Sequence, residues 1–216
     1  LIHQEALMSV VWLWHHPAAD APADACLGWQ DPPLADRDEA KRLALAVAER
    51  VGPTATVYTS DFQRARQAAR PLARAIGARL EVTRALREVS YGAWEGRLWA
   101  EIRRSEPQRY ERYMADWAQA AMPGGESFLE VRARVEAWWA PIAKTPGPHV
   151  IVAHGGSLRA LAAVLFNWTP QEAIAMHLAR GHLARIEPGT DLAPNWNVHP
   201  DSPFAKGMQA RQAPKA

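Results

Sequence analysis

Cysteine is almost missing from this chain of 216 residues: Cys26 stands alone, so no internal disulfide can form and nothing marks a stapled, secreted scaffold. Cys26 itself lies in a stretch rich in proline, alanine and aspartate with no base beside it, which gives a catalytic thiol no support. Long apolar runs are missing too, and nothing approaches the roughly 20 apolar residues that a membrane-spanning helix needs. Residues 1–7 have neither a basic start nor an extended apolar centre, so they do not read as a signal peptide, and Met8 reads as a natural start. Charge of one sign is scarce. Lys and Arg total 25 against 23 Asp and Glu, a net +2 at pH 7, and the arginines are scattered rather than gathered into a nucleic-acid-binding patch. No repeat, low-complexity tract or linker divides the chain. The expectation is a single cytoplasmic domain over about 8–200 with a polar tail over 201–216, and neither nucleic acid nor membrane as a partner.

What is present is a set of short apolar runs that end abruptly. Ser9 to Trp14 runs into His15-His16-Pro17, and Val150 to Ala153 runs into His154-Gly155-Gly156. Such runs, bounded by turn residues, read as strands buried on both faces, as in parallel sheets. Strands are predicted near 9–15, 54–59, 149–154 and 182–187, with a weaker candidate near 194–198. Between them, helices are predicted at about 36–50, 61–76, 127–143 and 169–178. Capping-box spacing marks three starts: Ser60 to Gln63, Ser127 to Glu130 and Thr169 to Glu172. Tyr110, Tyr113, Met114 and Trp117 form a helical stripe that reads as core packing. Alternating strands and helices imply an α/β fold, a mostly parallel central sheet with helices on both faces in three layers.

In an open α/β sheet the ligand sits beyond the carboxyl ends of the strands, where two of these runs deliver a histidine. A third strand, Thr54 to Thr59, leads into a helix whose first turns carry Arg64. A helix N-terminus beside an arginine is a natural phosphate site. Glu88, in the segment Leu86 to Gly96, adds a carboxyl group. Imidazoles, a cation and a carboxyl at one sheet edge suffice for phosphoryl transfer through a phosphohistidine. The histidines show no pair with convincing metal-ligand spacing, so neither metal nor other cofactor is expected.

These motifs, taken in order, resemble the histidine phosphatase superfamily, the branch of phosphoglycerate mutases and small phosphomonoesterases. The family's opening Arg-His-Gly reads here His15-His16-Pro17, and its Ser-x-x-x-Arg-x-x-Gln helix reads Ser60 to Gln67 with Arg64 inside. Leu86 to Gly96 matches its Leu-x-Glu-x-x-x-Gly-x-x-Glu-Gly segment, Pro123 to Ser127 its Pro-Gly-Gly-Glu-Ser loop, and His154 to Gly156, continuing to Arg159, its second His-Gly-Gly. Gly28, Asp31, Pro33 and Leu34 fit the loop after the first histidine. The resemblance implies a phosphoglycerate mutase-like fold, with His16 as nucleophile, Glu88 as general acid and base, and Arg64 and His154 holding phosphate oxygens. His15, Gly155, Ser157 and Trp29 join as substrate-binding candidates, the first helical N–H groups being expected near Ser157.

Two departures qualify that picture. His15 replaces the family arginine, which exchanges a permanent planar fork for a titrating ring. If His15 stands in for arginine it must be protonated while His16 stays neutral, which predicts an activity optimum on the acid side of neutral. Pro17 for glycine removes one N–H, as in a subset resembling the α-ribazole-phosphate phosphatases. The expected function is metal-independent hydrolysis of a small phosphomonoester. The alternatives are mutase-type phosphoryl transfer and a weakened pseudoenzyme that binds a phospho-ligand. Trp29, Trp94, Trp99 and Arg103 are the candidate substrate contacts, suited to an aromatic or sugar-bearing phosphate such as α-ribazole phosphate.

Overall fold

The computed structural model describes residues 9–53 and 56–187. Five strands, β1 (Val11–His15), β2 (Thr56–Ser60), β3 (Arg79–Thr83), β4 (His149–Ala153) and β5 (Leu183–Ile186), form one sheet in the order β3-β2-β4-β1-β5. All neighbours run parallel except β5, which pairs antiparallel with β1 at the edge. Seven helices follow in chain order: α1 (Arg37–Val51), α2 (Gln63–Ala75), α3 (Trp99–Ser105), α4 (Pro107–Ala115), α5 (Phe128–Ile142), α6 (Gly155–Phe166) and α7 (Pro170–Ala175).

The period of two along β1 sorts its side chains between two cores. Trp12 and Trp14, with Val150 and Val152 of β4, pack on Ala44 and Val47 of α1 and Ala68 and Leu72 of α2. Val11 and Leu13, with Ile151, face Val131 and Val135 of α5 and Leu158 and Leu161 of α6. Both faces of the sheet are therefore covered, which is why the strands read as continuous apolar runs. A third, smaller cluster of Cys26, Trp94, Ile102, Tyr113 and Met122 sits beside α3 and α4, away from the sheet.

Strand register brings the two strand-end histidines together. In the β1–β4 ladder His15 lies opposite Ala153, and the His16 N–H donates to the Ala153 carbonyl at 3.2 Å. The next residue of each strand, His16 and His154, therefore leaves the sheet side by side.

Three sequence expectations need correction. The strand Arg79–Thr83 has no counterpart among the predicted ones; it is an edge strand with alternating charge and Val82 49% exposed, so it lacks the apolar run of a central strand. The capping box from Ser60 to Gln63 does not form. Ser60 ends β2 and accepts from the Phe62 N–H, while the Gln63 N–H is capped at 2.8 and 2.9 Å by the carboxylate of Asp31, a residue far back in the chain. Helix α7 stops at Ala175, short of the expected 178, because the chain then turns to lie across the end of β1. The boxes at Ser127 and Thr169 form as expected. The strand near 194–198 and the tail from 201 lie outside the described residues.

Candidate active site

At the carboxyl ends of β1 and β4 three imidazoles meet edge to face. The His16 ring lies 4.9 Å from that of His15 and 5.0 Å from that of His154, and Phe62 closes on His154 at 5.5 Å. His16 is buried, and its Nδ1 sits 2.6 Å from the Pro17 carbonyl oxygen. That oxygen can only accept, so Nδ1 carries the proton and Nε2 keeps its lone pair. Burial, with the neighbouring His15 and Arg64, holds the His16 pKa well below its ordinary value, so the ring is neutral at physiological pH. His154 is likewise neutral, chiefly from burial, and both its ring nitrogens are buried without a hydrogen-bond partner. Orphaned buried polar atoms of this kind are rare in folded proteins and mark a place where a polar ligand fits.

His15 does not behave as the arginine substitute expected from the sequence. Its Nδ1 donates to the Leu178 carbonyl at 2.8 Å, and burial pushes its pKa down to about 3, the nearby Arg159, Arg180 and Arg64 charges adding to the fall. A ring in that state offers a lone pair rather than a charged donor. The acid optimum built on a protonated His15 therefore loses its basis.

Arg64, near the start of α2, is buried and donates from Nη2 to Gly28 O at 3.0 Å and from Nη1 to Gln30 O at 2.5 Å, with Asp31 at 3.5 Å. Its Nε is buried without a partner. The loop of residues 28–31 is thus drawn over the guanidinium, and Gln67, one turn further along α2, accepts from the Leu34 N–H to hold the loop's far end. Trp29 in that loop is 40% exposed; its indole donates to the Glu88 carbonyl at 2.9 Å while Arg87 stacks on its ring at 4.6 Å.

Glu88 is positioned by a network that sequence reasoning missed. Oε1 accepts from the Val89 N–H at 2.9 Å and the Gly156 N–H at 2.8 Å. Behind it, Arg134 of α5 donates to the carbonyls of Ala85, Arg87 and Glu88, and pairs with Glu126 at 2.8 Å. Glu126 also takes the Ser90 N–H at 3.0 Å, and Glu95 takes Ser90 Oγ and the N–H groups of Trp29 and Tyr91. Glu126 belongs to the Pro123–Ser127 motif, so the motif itself was the available signal; Arg134 carried none. Gly156 is required by closeness: a Cβ there would stand 2.3 Å from Glu88 Oε1 and 2.5 Å from Val89. At Gly155 a Cβ would meet Arg159 Nη1 at 3.0 Å, His15 Cε1 at 3.5 Å and Glu88 Oε2 at 3.8 Å, so these groups surround the first turn of α6.

Beyond Glu88 opens a cavity of about 580 Å³ whose walls include Tyr91, Trp99, Tyr110, Trp117, Arg103 and Arg159. The stripe on α4 serves both: Tyr110, Tyr113 and Met114 pack in or against the small core and also line this cavity. Of the candidate contacts, Trp99 and Arg103 line it; Trp94 is wholly buried and does not, and Trp29 is not in its lining but bonds to the Glu88 carbonyl. Ser157 is turned away as well. Its buried hydroxyl bonds to the N–H and carbonyl of His154 at 3.3 Å, and α6 begins at Gly155 rather than near Ser157. Cys26 is buried and its thiol pKa is pushed up by burial and by Glu95 and Glu88, which makes it inert. Among the described residues no group of three or more His, Cys, Asp or Glu side chains is placed to hold a metal ion.

Comparison with known proteins points one way. The sequence pattern of the histidine phosphatase superfamily (branch 1) matches residues 11–194. Over 171 residues the chain is 32% identical to the 2,3-bisphosphoglycerate-dependent phosphoglycerate mutase of Bartonella tribocorum, covering 71% of this chain and 79% of the mutase. Over 126 residues it is 32% identical to a 6-phosphofructo-2-kinase/fructose-2,6-bisphosphatase of Arabidopsis thaliana, covering 57% of this chain and 16% of that longer protein. A solved mycobacterial glucosyl-3-phosphoglycerate phosphatase in complex with VO3 superimposes with a TM-score of 0.74 at 26% identity, over 83% of this chain and 91% of that one. A parallel sheet that ends on paired histidines, and a match running from β1 past β5, have one common meaning: this chain belongs to the histidine phosphatase superfamily, branch 1.

Proposed function

We propose that the protein hydrolyses a small phosphomonoester without a metal, through a phosphohistidine on His16. The state of His16 carries this reading: a neutral ring whose Nδ1 is committed to Pro17 O, leaving an unprotonated Nε2 beside a second neutral imidazole with both nitrogens free. In the first step Nε2 attacks phosphorus and the bond to the leaving oxygen breaks, with Glu88 donating its proton to that oxygen. In the second, Glu88 takes a proton from water, the water oxygen attacks phosphorus, and the P–N bond electrons return to His16. Arg64, His154 and the N–H groups at the start of α6 are the groups suited to the phosphoryl oxygens. His15, Ser157 and Trp29 support the site by packing and backbone contacts. The aromatic cavity beyond Glu88 favours a leaving alcohol with a flat or sugar face.

Likeness to the Bartonella mutase keeps phosphoryl transfer to a second alcohol as the competing outcome, and the neutral His15 keeps weakened turnover as another. Hydrolysis of p-nitrophenyl phosphate in EDTA, parent against His16→Ala, separates them. Turnover that survives EDTA and disappears in His16→Ala is expected. Turnover retained by His16→Ala, or abolished by EDTA, would overturn the reading.

A further inference from the structure

We propose that Arg180, in the loop between α7 and β5, is a phosphate-binding residue that reaches the pocket from outside and adds a cation at its rim. This rests on the phosphatase reading above. A phosphoryl group brings close to two negative charges, yet the three imidazoles that meet at the pocket contribute no positive charge. His15, His16 and His154 are held neutral, and the buried guanidinium of Arg64 already spends Nη1 and Nη2 on the carbonyls of Gln30 and Gly28.

The loop carrying Arg180 is fastened directly to the strand end that bears the nucleophile. The Gly181 N–H donates to His15 O at 2.9 Å and His16 O at 3.1 Å, and the Gly181 carbonyl accepts from Trp14 Nε1 at 3.0 Å. On either side, the Leu178 carbonyl takes His15 Nδ1, and the His182 N–H donates to Ala179 O at 3.0 Å. A positive φ of 79° at Gly181 permits the tight return that brings this backbone against both histidine carbonyls. The residue before Gly181 is therefore fixed at the rim while its side chain is exposed and, among the described residues, forms no ion pair. Its charge bears on His15, His16 and Arg64 alike, three groups that share only the pocket. Arg159 differs. It is tied through Nε to the Met176 carbonyl at 3.1 Å, lies beside His15 at the first turn of α6 and lines the aromatic cavity with Glu88, so it is held between the two rather than free at the rim.

An unpaired guanidinium is a planar fork suited to two phosphoryl oxygens at once, and an exposed one leaves its pocket open until the anion arrives. The arrangement also explains how a chain with a neutral His15 can retain a working pocket: the cation comes from the neighbouring strand's loop instead of from the strand itself.

Titration calorimetry of the full chain with inorganic phosphate, alongside kcat/KM for p-nitrophenyl phosphate, tests this. Arg180→Gln should weaken phosphate binding roughly 10- to 100-fold with an unchanged melting temperature. Arg180→Lys should recover part of that loss, and His15→Arg placed in the Arg180→Gln background should restore binding by bringing a cation in from the strand. Parent-like phosphate affinity in Arg180→Gln would overturn the proposal, as would a loss that neither the Arg180→Lys variant nor the added His15→Arg change repairs. A parent that neither binds phosphate nor turns over would instead remove the phosphatase reading on which it stands.

Discussion

The two halves of the candidate pocket are held by different physics. On one side, His16 and His154 are delivered by adjacent parallel strands whose register puts them side by side, and each needs little else to stay there. On the other, Glu88 sits in irregular chain and owes its place to Arg134, Glu126, the Trp29 indole and the Gly156 N–H. A sheet gives precision through a repeating ladder, so one altered side chain moves it little. A hydrogen-bond network gives precision through a few charged contacts, and each lost member leaves others unpaired. The side of the proposed nucleophile is therefore robust in position and sensitive only in chemistry, while the side of the proposed acid is sensitive in position.

That contrast is sharpest at Gly156, the point where the halves touch. Gly156→Ala forces its new methyl into Glu88 Oε1 and Val89, displacing the carboxyl from its N–H partner without disturbing β1 or β4. A displacement of this size should lower kcat on the order of 100-fold. The folded state should persist, and the His16 half should still bind phosphate. Equal losses in phosphate affinity and kcat would break the distinction between the halves.

Arg134→Ala is expected to act more weakly and in the same place. It withdraws donors from three carbonyls and leaves Glu126 without its cationic partner, so Glu88 wanders while the histidines do not. A fall in kcat of roughly tenfold, with KM nearly unchanged and a lower melting temperature, is the expected pattern. An unchanged kcat would show that Glu88 is positioned by the sheet side after all.

The sheet side has its own signature, smaller and read in stability. His15, His16 and His154 are neutral in the folded state, with His15 held down to about 3, whereas in the unfolded chain they take up protons near their ordinary pKa of about 6.5. The unfolded state thus binds more protons as pH falls, and stability is full above about 6.5 and declines toward His15's folded value. Urea midpoints at pH 7.5 and pH 5.0 check this. A lower midpoint at pH 5.0 is expected, and one that shrinks this difference in His154→Phe would tie it to the pocket; identical midpoints would contradict the buried neutral histidines.

The same contrast explains what could be read from residue order. The strand ends at His15 and His154 were legible because a buried parallel strand leaves an uninterrupted apolar run and a turn breaks it visibly. Caps at Ser127 and Thr169 were legible because both partners lie within one helical turn. The cap of α2 was not, since Asp31 comes from far back in the chain, and Arg134 was not, since a side chain that bonds distant carbonyls leaves no period. The charge state of His15 was misjudged for a related reason. Its partner, the Leu178 carbonyl, arrives from a loop more than a hundred residues away, and burial outweighs any cationic role. Local patterns revealed the sheet-held half of the site; contacts across the chain built the rest.

The proposed chemistry turns on His16 taking the phosphoryl group. Brief reaction with p-nitrophenyl phosphate carrying labelled phosphorus, quenched in alkali, where phosphohistidine survives and acyl phosphates do not, tests it directly. Label retained on the peptide that contains His16, and lost on acidification, is the predicted result. Steady turnover with no labelled His16 peptide, or with label on another residue, would contradict it.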